Sequence, residues 1–135
     1  MYTYTTDQID LCRKLYEQLG EKREPQIGEW WALKYPLPKE NKVALLLDIK
    51  GKSDCGYFGS NGICGLTHKR LFDFPLYSEG ELLEMLIKSG DIEFRYVEEE
   101  NRIEVIHRGK YLRKKLSDSI LSALLKLAIE IKKGE

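Results

Sequence analysis

The sequence predicts an α+β fold, an antiparallel sheet of two β-hairpins packed with three helices in the order α-β-β-loop-α-β-β-α. Three stretches predict it. From Asp91 to Arg108, Ile92, Phe94 and Tyr96 alternate with Glu93 and Arg95, and Ile103, Val105 and His107 alternate with Glu104; this period of two marks a half-buried antiparallel pair. From about Ser117 to Lys133, Ile120, Leu121, Leu124, Leu125, Leu127, Ala128 and Ile131 form a broad apolar stripe, which implies burial against a sheet or against another helix. Val43 to Ile49 is almost wholly apolar, as in a strand covered on both faces.

Taken in order, Thr5 and Gln8 fit a capping box. Ile9, Cys12, Leu15, Tyr16 and Leu19 then recur at helical spacing until Gly20. A charged connector, Glu21 to Gln26, leads to an aromatic strand over residues 27–36, closed by Pro36. Trp30 and Trp31 must face opposite ways in a strand, so one enters the core and the other lies under a helix or in the open. The turn over residues 36–41 lets this strand pair with Val43–Ile49. Gly51 to Gly65 holds five of the eleven glycines and reads as a loop, or as a frame for a short hairpin at Ser60-Asn61-Gly62. Residues 66–77 continue irregularly, pinned by Phe72, Phe74 and Pro75. Ser78 and Glu81 open a short helix carrying Leu82, Leu83, Met85, Leu86 and Ile87, stopped by Gly90. Glu98-Glu99-Glu100-Asn101 is the solvated tip of the second hairpin. Leu116 and Ser117 supply the staple and N-cap of the last helix, and Gly134 its end.

At 135 residues a single domain over 1–135 is expected. Lys and Arg number 22, as do Asp and Glu, which argues against bulk electrostatic affinity for nucleic acid or acidic membrane but leaves room for a local basic patch. No stretch approaches the run of about 20 apolar residues that a membrane span needs, and the N-terminus has no signal-like pattern. A cytoplasmic protein with three free thiols is the expectation.

The segment Tyr77-Ser-Glu-Gly-Glu-Leu-Leu-Glu-Met-Leu-Ile, the second hairpin, and Leu116-Ser-Asp-Ser-Ile-Leu-Ser-Ala-Leu-Leu-Lys-Leu-Ala resemble small uncharacterised bacterial and prophage proteins. The resemblance spans roughly the C-terminal 60 residues. It implies an α-β sandwich and brings no catalytic residue with it.

Three constellations bear on chemistry. Arg108, Lys110, Arg113, Lys114 and Lys115 precede a helix N-terminus, where partial positive charge makes cations unfavourable. A bound anion would reconcile them with the free amides near Ser117, and Tyr111 could stack on a base. The competing interpretation is a solvated basic loop. Cys55, Cys64 and His68 follow C-x8-C-x3-H, which lacks the closely spaced pairs of a zinc site. No nucleophile elbow or metalloprotease helix occurs. The leading expectation is a non-catalytic binding protein, without cofactor and not on a membrane. It would take a phosphate-bearing ligand or an acidic protein partner on the surface formed by Arg108, Lys110, Tyr111, Arg113, Lys114, Lys115 and Ser117, and a homo-oligomer would suit it. The alternatives are a small enzyme or metal-binding protein using loop 51–65, and a subunit docking through an exposed tryptophan.

Overall fold

The computed structural model describes residues 4–37, 41–100, 102–107, 112–115 and 120–133. They form an α+β protein with two compact units, one built on Glu21–Leu76 and one on Thr5–Gly20 with Tyr77–Glu135.

The first unit is a five-stranded antiparallel sheet. Its strands are β1 (Trp30–Leu37), β2 (Asn41–Lys50), β3 (Asp54–Gly59), β4 (Cys64–His68) and β5 (Phe72–Pro75), in the order β4-β3-β2-β1-β5. A 3-10 turn, Lys69–Leu71, carries the chain from β4 to β5. The predicted first hairpin is β1 and β2, with Trp31 opposite Ala44. β1 starts three residues later than the pattern implied: Gly28 adopts φ 91°, open to glycine, and turns the chain before Trp30. It also runs past Pro36 to Leu37. The glycine-rich loop is itself a hairpin, β3 with β4, so the framed hairpin is the form that occurs. Residues 66–77, read as irregular, contain the end of β4, the turn and β5.

Glycines weaken strands, and here Gly59 and Gly65 each leave room that a neighbour occupies. Tyr57 lies across Gly65, its directly paired residue, and a Cβ there would meet the Tyr57 hydroxyl at 2.8 Å. A Cβ at Gly59 would overlap the Asn41 amide. Asn41 is fully buried and fastens the hairpin tip: its Nδ2 donates to Asn61 Oδ1 at 2.6 Å, and its Oδ1 accepts from Asn61 N at 3.1 Å.

The core of this unit comes from the sheet's own side chains: Trp31, Ala44, Leu46, Cys55, Tyr57 and Phe72. Trp31 meets Phe72 edge to face, with centroids 6.3 Å apart. Trp31 is thus the core tryptophan. Trp30, half-buried on the other face, stands edge to face with Phe58 at 6.5 Å. In the apolar run of β2, Val43, Ala44 and Leu46 are buried and Leu45 is half-buried, so the run is not covered on both faces along its length. A bulge then breaks its register with β3 between Leu46 and Asp48, leaving Leu47 and Ile49 exposed.

The second unit contains α1 (Thr6–Leu19), α2 (Glu79–Ser89), α3 (Ile120–Lys133) and a three-stranded antiparallel sheet of β6 (Ile92–Val97), β7 (Arg102–His107) and β8 (Leu112–Lys115). The Thr5–Gln8 box forms in both directions, at 3.2 and 2.9 Å, and Gly20 ends α1 at φ 63°. Ser78 accepts from Glu81 N at 3.2 Å to cap α2. The β6–β7 register pairs Phe94 with Val105 and Tyr96 with Ile103, and Glu98–Glu100 turn between the strands. Each predicted hairpin is therefore present, extended by further strands into a sheet of its own.

On α3, Leu121, Ala123, Leu124, Leu125, Leu127, Ala128, Ile129 and Ile131 are buried. The helix packs on α1, α2, β7 and β8, which explains why so little of its circumference is polar. Full burial of each large aliphatic side chain contributes roughly 1.5–3 kcal/mol before entropy is counted. Among the described residues no helix is long and apolar enough to cross a membrane.

Candidate functional site

The five-stranded unit holds a cleft of about 420 Å³ lined by cations from four separate stretches of chain. Lys69 and Arg70 stand on the 3-10 turn after β4, Lys52 with Ser53 on the turn between β2 and β3, Lys34 on β1, and Arg23 with Glu24 on the connector after α1. Phe72 and Pro25, both buried, give it an apolar base.

Local chemistry fixes these positions. Lys69 N donates to Ser53 O at 2.6 Å, joining the two turns. The connector is anchored by Glu29, which takes an ion pair from Arg23, the Trp31 indole N–H at 3.2 Å and the Gln26 main-chain N–H at 2.9 Å. Burial opposes ionisation of Glu29. The hydrogen bonds from Arg23, Trp31 and Gln26 outweigh it, and with the Arg23 charge they hold the carboxyl below its ordinary range. Glu24 Oε2 lies 2.7 Å from Lys69 Nζ. Among the described residues, Lys34, Lys52 and Arg70 have no ion pair. Among the described residues, five cations thus border one cleft with a single lining carboxylate, on a chain whose formal charge is zero. Cations gathered over an apolar base offer charge-assisted hydrogen bonds to an oxyanion.

Of the surface expected from the sequence, only part lies among the described residues. Arg108, Lys110, Tyr111 and Ser117 lie outside the described residues. Arg113, Lys114 and Lys115 are not in a loop: their backbone is β8, paired with β7 so that Ile106 is opposite Arg113, Val105 opposite Lys114 and Glu104 opposite Lys115. β8 is the sheet's edge, where lysines commonly discourage pairing with other chains.

The thiols are free and dispersed. Cys55 is buried in β3, opposite Thr67, whereas Cys64 is exposed on β4, opposite Phe58. The alternation of β3 sends positions 55 and 58 to opposite faces. Burial raises the Cys55 thiol pKa; Lys69 opposes that, while Asp54 and Asp48 add to it. Cys12 is pushed up to about 11 by burial, against a hydrogen bond from the Tyr77 main chain and with a further push from Glu81. Both thiols are therefore protonated near neutral pH. Among the described residues no three His, Cys, Asp or Glu side chains gather as a metal site would need.

A second cleft, about 410 Å³, lies in the helical unit beside Lys14, Glu17, Gln18 and Ile129. Its one cation and one carboxylate set up no comparable field. Sequence reasoning missed the cation cleft because, of its cations, only Lys69 and Arg70 are adjacent in sequence. The available signal was the interruption of a glycine-rich hairpin region by basic residues at its two ends. Compared with protein-family models, with curated proteins and with solved structures, the chain finds no match, and its chemistry is read from its own geometry.

Proposed function

We propose that this chain is a non-catalytic binding protein for a phosphate-bearing ligand, which it holds in the cleft bordered by Arg23, Lys34, Lys52, Lys69 and Arg70. The observation that carries this reading is the concentration of five cations around one apolar base on a chain of balanced charge. A cleft of about 420 Å³ falls within the range of small-molecule sites, about 300–1,000 Å³. Phosphate oxygens would share the cations, and Phe72 and Pro25 would meet the apolar part of the ligand.

Calorimetric titration with ATP and with inorganic tripolyphosphate tests the reading. Saturable binding by the native protein is expected, weakening as salt rises. A Lys52→Ser, Arg70→Ser double variant should lose about tenfold or more in affinity. The Arg113→Ser, Lys114→Ser, Lys115→Ser variant is the counter-arm. If that variant loses binding and the double variant keeps it, the ligand surface is the basic run before α3 instead. Absence of saturable heat with either probe rejects both sites.

A further inference from the structure

We infer that Glu24 is a built-in competitor: in the empty cleft its carboxylate occupies the place on Lys69 that one anionic group of the ligand takes, and binding displaces it. The inference rests on the phosphate-binding reading of this cleft and adds the means by which the site is held in check.

Three observations carry it. Among the described residues, Glu24 is the one carboxylate lining the cleft and pairs with Lys69, at 2.7 Å, while Lys34, Lys52 and Arg70 have no ion pair. The two partners differ in freedom. The Lys69 side chain is 27% exposed and the Glu24 side chain 77%, so little packing restrains the carboxylate. The backbone beneath it is fixed on both sides: Pro25 is buried, and Arg23 is paired with Glu29. Glu24 is thus a tethered anion with a mobile end, held at high local concentration beside a fixed cation. Exposed pairs of this kind are weak, so an incoming phosphate group with several acceptor oxygens can replace it.

The same charge balance gives the device its selectivity. A ligand presenting one weakly charged group gains little by replacing a carboxylate with a carboxylate. A ligand bearing a multiply charged phosphate group gains from Lys69 and from the unpaired cations together.

The test is tripolyphosphate titration of the native protein, Glu24→Gln, Lys69→Ser and the double variant. Glu24→Gln is expected to tighten binding about two- to fivefold, with no further gain when Lys69 is already serine. An equal gain in both backgrounds would mean that Glu24 acts only as diffuse repulsion, and the competitor is rejected. Unchanged or weaker binding by Glu24→Gln also rejects it, with the cleft itself intact. If neither the native protein nor Glu24→Gln takes up tripolyphosphate, the cleft reading fails and the competitor with it. Glu21→Gln, on the same connector but off the cleft, should bind as the native protein does.

Discussion

The two units solve the burial problem in different ways. In the helical unit one element, α3, is enclosed by two helices and two strands, and its core is aliphatic. In the five-stranded unit the sheet supplies its own core of aromatic and small residues, and it leaves Phe58 and Leu66 open on the other face, Leu66 at 66% exposure. A helix buried over most of its circumference has little surface left for anything but stability. In the sheet unit the turns carry Lys52, Lys69 and Arg70, the connector Arg23 and β1 Lys34. Function on loops borne by a rigid frame is the general pattern.

That contrast can be broken at several points. The largest effect belongs to α3: Leu124→Ala should destabilise by about 2–5 kcal/mol in chemical denaturation, whereas Phe58→Ala, at a site 36% exposed, should cost about 1 kcal/mol. Equal losses would contradict the difference drawn between the units. The next largest is a pH effect. The Cys12 thiol is raised to about 11 in the fold, so its contribution is complete below its ordinary value and disappears as pH climbs toward 11. A gap of about two pH units corresponds to roughly 3 kcal/mol. Cys12→Ala should flatten the alkaline fall in stability by an amount of that order. Glu29 has the opposite sign. Its carboxyl is depressed, so its contribution is present above the ordinary value of about 4.3 and is lost as pH falls through the lower folded value. Glu29→Gln should blunt acid denaturation and loosen the connector bearing Glu24. A smaller but sharper effect is expected at Gly59, where Gly59→Ala must displace the Asn41 amide, at a cost of about 1–3 kcal/mol. Asn41→Ala should remove most of that penalty if the clash is its origin, as a double-mutant cycle would show.

Much of the helical unit was legible in the sequence because its information is local. The Thr5–Gln8 box, the Ser78 cap and the pairing of residues 92–97 with 102–107 each specify structure within a few residues, and each occurs as read; Glu104, read on the polar face of the second strand, is instead buried, as is Ile106. The sheet unit was harder. β3 and β4 contain Gly56, Gly59 and Gly65, and such composition argues for a loop. What makes them strands is tertiary: Tyr57 covers Gly65, and Asn41 fills the space beside Gly59. The cation cleft was illegible for the same reason. Lys34, Lys52 and Lys69 are far apart in sequence, and only the meander of the sheet brings them to one place. The basic run at 107–115 drew attention because its charges are neighbours in the chain. Its described part is an edge strand, and pairing with β7 outweighs the solubility of its side chains in deciding that.

The single main-chain bond from Lys69 to Ser53 has a consequence for how the cleft would work. It joins two of the stretches that border the cleft, so that part of the rim is ordered before anything binds. Ordering that a loose rim would undergo on occupancy is completed there when the chain folds, and a ligand bound as proposed above would be spared that entropy loss.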